Sequence, residues 1–173
     1  MRGILPVLLS LILLISASAC QLVRGRPEPS APEVAAAAER AASEAFLLAQ
    51  AAKPGARRTA SGLVIRETRI GTGPSPGIED TVTIRYQTRL RDGRLIDDSI
   101  RHGEPLTLPL SRMIPCWSEA LPQLRAGGAA KLVCPAPLAY GDEGIPPLVA
   151  PSAALVYDVE LVDVGRALRR SGH

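Results

Sequence analysis

The chain has 173 residues, and its 20 Lys and Arg against 17 Asp and Glu give a net charge of +3. This length suits one folded domain with additional segments. The basic residues are scattered among acidic ones and do not alternate with aromatic residues, which argues against a nucleic-acid partner. The chain has only two histidines, one of them near its end, which argues against a Ser/His/Asp triad. The histidines and the three cysteines do not have the spacing of zinc ligands. We therefore expect no metal and no cofactor.

The amino-terminal stretch has the composition of a secretory signal. Arg2 supplies one positive charge, residues 4–15 are apolar, and the small residues Ala17-Ser18-Ala19 lead to Cys20. This order is typical of a cleaved leader, and the apolar part is too short for a membrane-spanning helix. Small residues before a cysteine resemble the lipobox of bacterial lipoproteins. We therefore predict a lipoprotein signal peptide over 1–19 with lipidation of Cys20, the alternative being ordinary cleavage nearby.

Lipidation would decide where the protein resides. Acyl chains contribute roughly 0.8 kcal/mol per buried methylene, so several chains on Cys20 would anchor the protein durably. Gln21 follows the cysteine, and the sorting rules of bacterial lipoproteins then favour the outer membrane over the inner one. The resemblance implies an exported protein that faces the periplasm of a Gram-negative bacterium.

Two segments separate this leader from the main domain. Residues 20–32 are rich in Pro, Arg and Glu and are predicted to be a flexible tether. Residues 33–60 are predicted to hold an N-terminal helix over 33–52, rich in Ala, and a linker that Lys53-Pro54-Gly55 begins. The helix carries a shallow apolar stripe of Val34, Ala38, Ala41, Ala45 and Leu48. The sequence leaves open whether this helix packs on a partner or serves as a spacer.

Residues 61–165 read as one α+β domain, and 166–173 as a loose tail. Between 81 and 90 the apolar residues alternate with polar ones, as in a half-buried strand, and Asp92-Gly93 predicts a hairpin turn after it. Similar segments elsewhere bring the total to five or six antiparallel strands. The further segments are 63–70, 95–96, 105–110, 129–134 and 155–162.

The only tryptophan marks a short helix. Pro115 suits the first position of a helix, which places Trp117 in its first turn, and Pro122 keeps the helix short. A large aromatic residue on one short helix between strands predicts a sheet wrapped around that helix. Bulky residues on inward positions of the strands either fill this core or line a site, and the pattern alone leaves both readings open.

Cys116 and Cys134 remain once Cys20 is set aside. Export would place them in an oxidising compartment, where a disulfide from the helix start to a strand end is credible. Such a loop closure stabilises by about 3 kcal/mol in the chain-entropy model. The alternative is two buried free thiols.

The segments from 80 to 164 resemble the FKBP-type peptidyl-prolyl cis-trans isomerases. The likeness rests on ordered matches that include the tryptophan helix and the Ala-Tyr-Gly loop. Residues 61–63 and 71–73 extend it toward the exported, helix-fronted members typified by macrophage infectivity potentiator. The matching segments are 82–86, 92–99, 114–121, 138–141 and 154–161.

The resemblance implies a proline pocket whose floor is Trp117. Asp97 and Tyr140 fall at the family's catalytic positions, and the Tyr140 hydroxyl and the Ile114 N–H fall where the family binds ligand carbonyls. The substrate-binding walls would be Tyr86, Ile96, Leu106, Met113, Ile114, Val149 and Tyr157.

We therefore expect the protein to be an exported prolyl isomerase that acts on unfolded or newly exported proteins with X-Pro bonds. One alternative is a folding helper that binds Pro-containing segments without turnover, and a weaker one is a lipoprotein that uses the fold as a spacer. In the helix-fronted relatives the leading helices dimerise, so a homodimer through the N-terminal helix is a further expectation.

Overall fold

The computed structural model describes residues 28–103 and 105–167. The predicted signal peptide 1–19 and the predicted lipidation site Cys20 lie outside the described residues. So do 20–27 of the predicted tether and 168–173 of the predicted tail.

Two α-helices and seven strands make up the described chain. The helices are α1 (Ala31–Ala51) and α2 (Pro115–Ala120). The strands are β1 (Ala56–Arg58), β2 (Val64–Arg69), β3 (Thr81–Leu90), β4 (Leu95–Asp98), β5 (Leu106–Pro109), β6 (Ala129–Cys134) and β7 (Leu155–Gly165). Short 3₁₀ helices lie at Ser99–His102, Leu110–Arg112, Leu121–Gln123 and Ala136–Leu138.

All strands join one antiparallel sheet in the order β1-β2-β6-β7-β3-β4, and β5 also pairs with β3. The α+β class is as predicted, with one strand more than the five or six expected. The additional strand is β1, which pairs with β2 inside the segment predicted to be a linker. The sheet therefore begins at Ala56, ahead of the domain boundary expected at residue 61.

The concave face of the sheet packs on α2. Pro115 occupies the first turn of the helix, and Cys116, Trp117 and Ala120 are buried against the strands. The inward positions of β3 and β7 alternate as predicted, because consecutive side chains of a strand point to opposite faces. They contribute Val82, Ile84, Leu155, Tyr157, Val159 and Leu161 to the core. Cys116 and Cys134 form a disulfide between α2 and β6 with a Cα–Cα distance of 5.9 Å.

Helix α1 packs on the opposite side, where Leu47 joins a second apolar cluster with Val64, Val133, Ala154 and Val156. It buries the face that contains Ser43 and Leu47. The apolar stripe noted in the sequence lies on the other face, and Val34 and Leu48 remain 52% and 53% exposed. Within the described residues, no helix has both the length and the hydropathy needed to span a bilayer.

Candidate active site

A cleft of about 210 Å³ opens on the concave side of the sheet, above α2. This volume is several times the roughly 30 Å³ that one water molecule occupies in the liquid, so the protein's own side chains do not fill it. The lining residues are Tyr86, Thr88, Asp97, Leu106, Leu108, Arg112, Met113, Ile114, Trp117, Tyr140 and Tyr157.

Three aromatic rings form the base of the cleft. The ring centroid of Trp117 lies 5.0 Å from that of Tyr86 and 5.2 Å from that of Tyr157, with interplanar angles of 62° and 79°. Edge-to-face pairs of this kind are favourable, because the positive edge of one ring meets the negative face of another. Trp117 is only 6% exposed, so it is held as a rigid apolar floor.

The start of α2 fixes both Trp117 and Ile114. Ile114 is the N-cap residue, with φ −59° and ψ 150°, and its carbonyl accepts from the N–H groups of Trp117 (3.0 Å) and Ser118 (3.1 Å). An N-cap residue precedes the helical ladder, so the helix does not use its N–H. Ile114 lines the cleft, and its peptide N–H lies outside that ladder.

Hydrogen bonds from Tyr86 and Asp98 hold Asp97 on the wall of the cleft. The Tyr86 hydroxyl donates to Asp97 Oδ2 at 2.8 Å, and the backbone N–H of Asp98 donates to Asp97 Oδ1 at 2.8 Å. The backbone N–H of Tyr86 donates in turn to Ser99 Oγ at 2.9 Å. Burial, followed by the hydrogen bond to Asp97, raises the pKa of Tyr86. The phenol therefore stays protonated and keeps donating to the carboxylate at neutral pH.

The neighbouring carboxylate has a structural task. Asp98 is buried and caps the 3₁₀ helix Ser99–His102, because its Oδ1 accepts from the Ile100 N–H at 2.9 Å. Its Oδ2 accepts from Gln87 Nε2 at 3.0 Å. Of the two consecutive aspartates, Asp97 alone lines the cleft.

Two buried polar groups at the base of the cleft lack partners. Tyr157 is 2% exposed, and among the described residues neither its hydroxyl nor the Trp117 Nε1–H meets a partner at hydrogen-bonding geometry, although the Tyr140 hydroxyl is near enough to Tyr157 to affect its pKa. Burial, followed by its electrostatic interaction with Tyr140, raises the pKa of Tyr157, so this phenol is also protonated. Native structures leave few buried polar groups unpaired, which makes these two conspicuous.

Tyr140 stands over the cleft on the segment 140–152, called here the Tyr140 loop. The loop is internally bonded, since the Gly144 N–H donates to the Tyr140 carbonyl (3.1 Å) and Ile145 and Val149 form an isolated bridge. Gly144 has φ +65°, and a Cβ there would collide with the Val149 carbonyl. Only glycine suits this position, because it tolerates both the left-handed backbone and the close approach.

The structure brings together all but two of the predicted site residues. The predicted residues that line the cleft are Asp97, Tyr140, Tyr86, Leu106, Met113, Ile114, Trp117 and Tyr157. Ile96 is instead half-buried and packs against the core, at the irregularity where the register of the β3–β4 pair shifts. Val149, which belongs to the Tyr140 loop, is buried in the core and does not line the cleft.

Three further residues line the cleft without having been assigned to it. Thr88 and Leu108 lie on inward positions of β3 and β5, so strand alternation could have found them. Arg112 ends a 3₁₀ turn and brings a positive charge to the rim, and no sequence pattern marked it.

A second groove, of about 240 Å³, runs beside α1 and has a charged rim that includes Glu39, Arg91 and Asp92. Its lining contains no aromatic residue, so aromatic character rather than size distinguishes the cleft above Trp117. Within the part of the chain that the structure describes, no group of three or more His, Cys, Asp or Glu residues is placed to hold a metal ion.

The sequence model of one protein family, described as FKBP-type peptidyl-prolyl cis-trans isomerase, matches residues 73–162. The chain is 44% identical over 130 residues to a probable FKBP-type peptidyl-prolyl cis-trans isomerase FkpA of Neisseria meningitidis. That match covers 75% of the chain and 48% of the relative. The chain is also 38% identical over 128 residues to the outer membrane protein MIP of Legionella longbeachae, covering 74% of the chain and 55% of that protein.

Among solved structures, the crystal structure of FkpA from Escherichia coli superimposes with a TM-score of 0.75 at 39% identity. The superposition covers 79% of the chain and 64% of that structure. The chain thus spans about half the length of the curated relatives that it matches.

Proposed function

Because the chain belongs to the FKBP-type peptidyl-prolyl cis-trans isomerase family, we propose that it catalyses rotation about X-Pro peptide bonds. The observation that carries the proposal is the cleft above Trp117. It is apolar at its base, has room for a ligand, and lies within the segment that the family model matches. We assign Trp117 as the floor on which the proline ring rests.

The physical task of such a site is to favour a twisted amide. Resonance keeps the peptide bond planar behind a barrier of about 20 kcal/mol, and uncatalysed X-Pro rotation takes tens of seconds. At the transition state the bond has lost its resonance, and its carbonyl oxygen carries less negative charge. An apolar cleft that excludes water therefore stabilises the twisted amide relative to the planar one, which is catalysis by differential binding. The step needs no nucleophile, because no covalent bond breaks.

The polar groups at the rim have two assigned roles. The Tyr140 hydroxyl and the Ile114 N–H hold substrate carbonyls, so that the proline ring is oriented on the indole. Asp97, held in place by Tyr86, presents a negative charge to the cleft. A carboxylate near the imide oxygen disfavours the planar form, in which that oxygen is most negative, and so lowers the barrier to rotation.

A protease-coupled assay with a proline-containing peptide tests the proposal. We expect the wild-type chain to accelerate the slow cis-to-trans phase, and the Trp117→Ala variant to lose most of that acceleration. A slow phase equal to that in buffer would overturn the enzymatic function. The chain would then be a folding helper that binds Pro-containing segments, provided that it suppressed client aggregation.

The variants Trp117→Ala and Asp97→Val separate these two functions. For the enzyme, both variants lose isomerase activity. For the non-catalytic helper, suppression of aggregation is unaffected by both changes. This alternative has some structural support, because Leu106 and Leu108 supply aliphatic rather than aromatic walls to the cleft.

We infer that the protein acts on newly exported clients from a lipid anchor at Cys20, on the periplasmic side of the outer membrane. The leader-like sequence of 1–19 supports this location. A relative that is named an outer membrane protein also supports it. Cells treated with an inhibitor of lipoprotein signal peptidase should accumulate the uncleaved chain, and a Cys20→Ser variant should lose incorporation of labelled fatty acid. Normal processing under the inhibitor, or undiminished labelling of Cys20→Ser, would refute the anchor.

We also propose that the exposed stripe of α1 supports homodimerisation. The face of α1 that points away from the sheet contains all five residues of this stripe, which are Val34, Ala38, Ala41, Ala45 and Leu48. Sedimentation of the wild-type chain and of the Leu48→Glu variant tests this, since a charge in an apolar interface should dissociate it. A wild-type chain that sediments as a monomer would overturn the proposal.

A further inference from the structure

Arg40 of helix α1 is hydrogen-bonded to the Tyr140 loop. Arg40 Nη2 donates to Asp142 Oδ1 at 2.8 Å and to Ser152 Oγ at 3.2 Å. Ser152 Oγ donates to the same Asp142 oxygen at 2.6 Å. Three side chains that are distant in sequence thus form one closed set of hydrogen bonds, and the set joins the helix to both ends of the loop.

Ser152 connects this set to the backbone beside Tyr140. Its side chain is buried, and its N–H donates at 3.0 Å to the carbonyl of Gly141, the residue that follows Tyr140. Ser152 also has φ +63°, the only positive φ outside glycine among the described residues. A non-glycine residue keeps this conformation only where its surroundings hold it there. The hydrogen bond from Arg40 to Ser152 Oγ is one of the contacts at this residue.

A second contact fixes the chain just beyond the loop. The buried Ser43 Oγ of α1 accepts from the Ala154 N–H at 2.8 Å, so α1 satisfies a backbone donor that would otherwise be buried without a partner. One turn further along α1, Leu47 packs against Val156 in the second apolar cluster. On the other side of the loop, Glu39 accepts two hydrogen bonds of 3.0 Å from Arg91, just after β3.

The exposure of these groups limits what the contact can do for the whole fold. The side chains of Arg40 and Asp142 are 63% and 74% exposed, and ion pairs in such positions contribute little to global stability. Loops, however, open locally at a much lower free energy than the whole domain. A weak contact can therefore change the population of the closed loop several-fold while leaving the melting temperature almost unchanged.

We propose that α1 is a positioning element of the isomerase site, in which Arg40 holds the Tyr140 loop over the cleft through Asp142 and Ser152. The inference rests on the proposed function and deepens it. Arg40 lies outside the cleft and does not touch a ligand there. It acts through Ser152 and Gly141 on the position of the Tyr140 hydroxyl. A small displacement of a group that orients substrate lowers the rate substantially.

The chain supplies a matched control on the same helix. Glu44 accepts from Arg58 at 2.8 Å, the same length as the Arg40–Asp142 pair, and this ion pair joins α1 to β1 and does not include a residue of the loop. We expect Arg40→Ala to lower kcat/KM about 3- to 10-fold and Glu44→Ala to lower it by less than about 1.5-fold. The two variants should melt within about 2 °C of each other, because both lose one surface ion pair.

Two further readouts distinguish positioning from a general structural effect. In a Tyr140→Phe background, Arg40→Ala should have little additional effect, because both changes remove the same contact with substrate. Hydrogen exchange in the full chain should rise about 10-fold at the Gly144, Val149 and Ser152 amides in Arg40→Ala only. All three amides are hydrogen-bonded within the loop.

Equal kcat/KM in the two alanine variants would overturn the proposal, and so would additive losses from Arg40→Ala and Tyr140→Phe. If the wild-type chain had no isomerase activity, the proposed function would fail on its own. Hydrogen exchange would then still decide whether Arg40 holds the loop, since an unchanged loop in Arg40→Ala would refute the contact itself.

Discussion

The Tyr86 hydroxyl donates to Asp97 Oδ2 at 2.8 Å, across the pair of strands β3 and β4 on the wall of the cleft. The other carboxylate oxygen of Asp97 accepts from the Asp98 backbone. The backbone of Tyr86 is itself bonded to Ser99. The Asp97 carboxylate is thus held by the Tyr86 phenol and by a backbone N–H, so the direction of its charge is fixed before any ligand binds.

This relationship predicts that Tyr86 and Asp97 act as one unit. We expect Asp97→Ala to lower kcat/KM about 10-fold or more, because it removes the charge that acts on the imide. Tyr86→Phe should lower kcat/KM by about 3-fold, because the carboxylate remains but loses one of the hydrogen bonds that orient it. The double variant should be no worse than Asp97→Ala alone when measured in the protease-coupled assay. Losses that multiply would show that the two residues act separately.

The position of Trp117 predicts a direct optical signal of binding. It is the only tryptophan in the chain and forms the floor of the cleft, so its emission reports on that site alone. We expect titration with an Ala-Pro peptide to shift and change the emission of Trp117, because the proline ring displaces water from the indole. The control is the same peptide with Ala in place of Pro. An equal change with both peptides would contradict a proline-specific floor.

The sequence predicted the parts of this structure that depend on local pattern. The inward face of β3 followed from strand alternation, and the short helix with buried Trp117 followed from Pro115 at its start. The α+β class and the family resemblance are both confirmed. Asp97 and Tyr140 were assigned only through that resemblance, because their meeting at one cleft depends on topology, which no local pattern encodes.

Helix α1 shows where pattern reasoning fell short. In an Ala-rich helix every face is weakly apolar, so the stripe that includes Val34 and Leu48 does not identify the face that packs on the sheet. The buried face is selected by Leu47 and by Ser43, a polar residue that enters the interface to accept from the Ala154 N–H. Strand β1 was missed because two of its three residues are arginines, and it forms only by pairing with β2.

The unpaired hydroxyl of Tyr157 makes Tyr157→Phe a stabilising change. Removing a buried polar group that has no partner should raise the free energy of unfolding by about 1 kcal/mol, since the desolvation penalty is lifted. Tyr86→Phe is the matched control, because its hydroxyl is bonded to Asp97, and it should destabilise by a similar amount. Urea denaturation measures both. A destabilised Tyr157→Phe would show that this hydroxyl has a partner in solution.

The two protonated tyrosines also predict how stability responds to alkaline pH. Burial raises the pKa of both Tyr86 and Tyr157 in the folded chain above the ordinary value of 10.0. Above that pH the unfolded chain loses phenolic protons that the folded chain retains, so stability must fall as pH rises. We expect stability to be level from about pH 7 to 9 and to decline from about pH 10. The decline should be shallower in Tyr157→Phe, and equal slopes would contradict the assignment.

The disulfide between Cys116 and Cys134 predicts a redox dependence of the site. It closes a sequence separation of 18 residues and lies next to Trp117, so it holds the start of α2 against β6. Reduction should lower the free energy of unfolding by about 3 kcal/mol, because the unfolded chain gains entropy. The double variant Cys116→Ala and Cys134→Ala should show the same loss and should not respond to dithiothreitol.

Thiol titration of the denatured, unreduced Cys20→Ser chain provides an independent check, and it should find no free thiol. Two thiols per chain would mean that the cysteines are only packed together, and reduction would then leave stability unchanged. If the bond forms, reduction should also lower isomerase activity. The loss of activity should exceed that caused by a surface substitution that lowers the free energy of unfolding by the same amount. The reason is that the loosened residues precede and include the floor of the cleft.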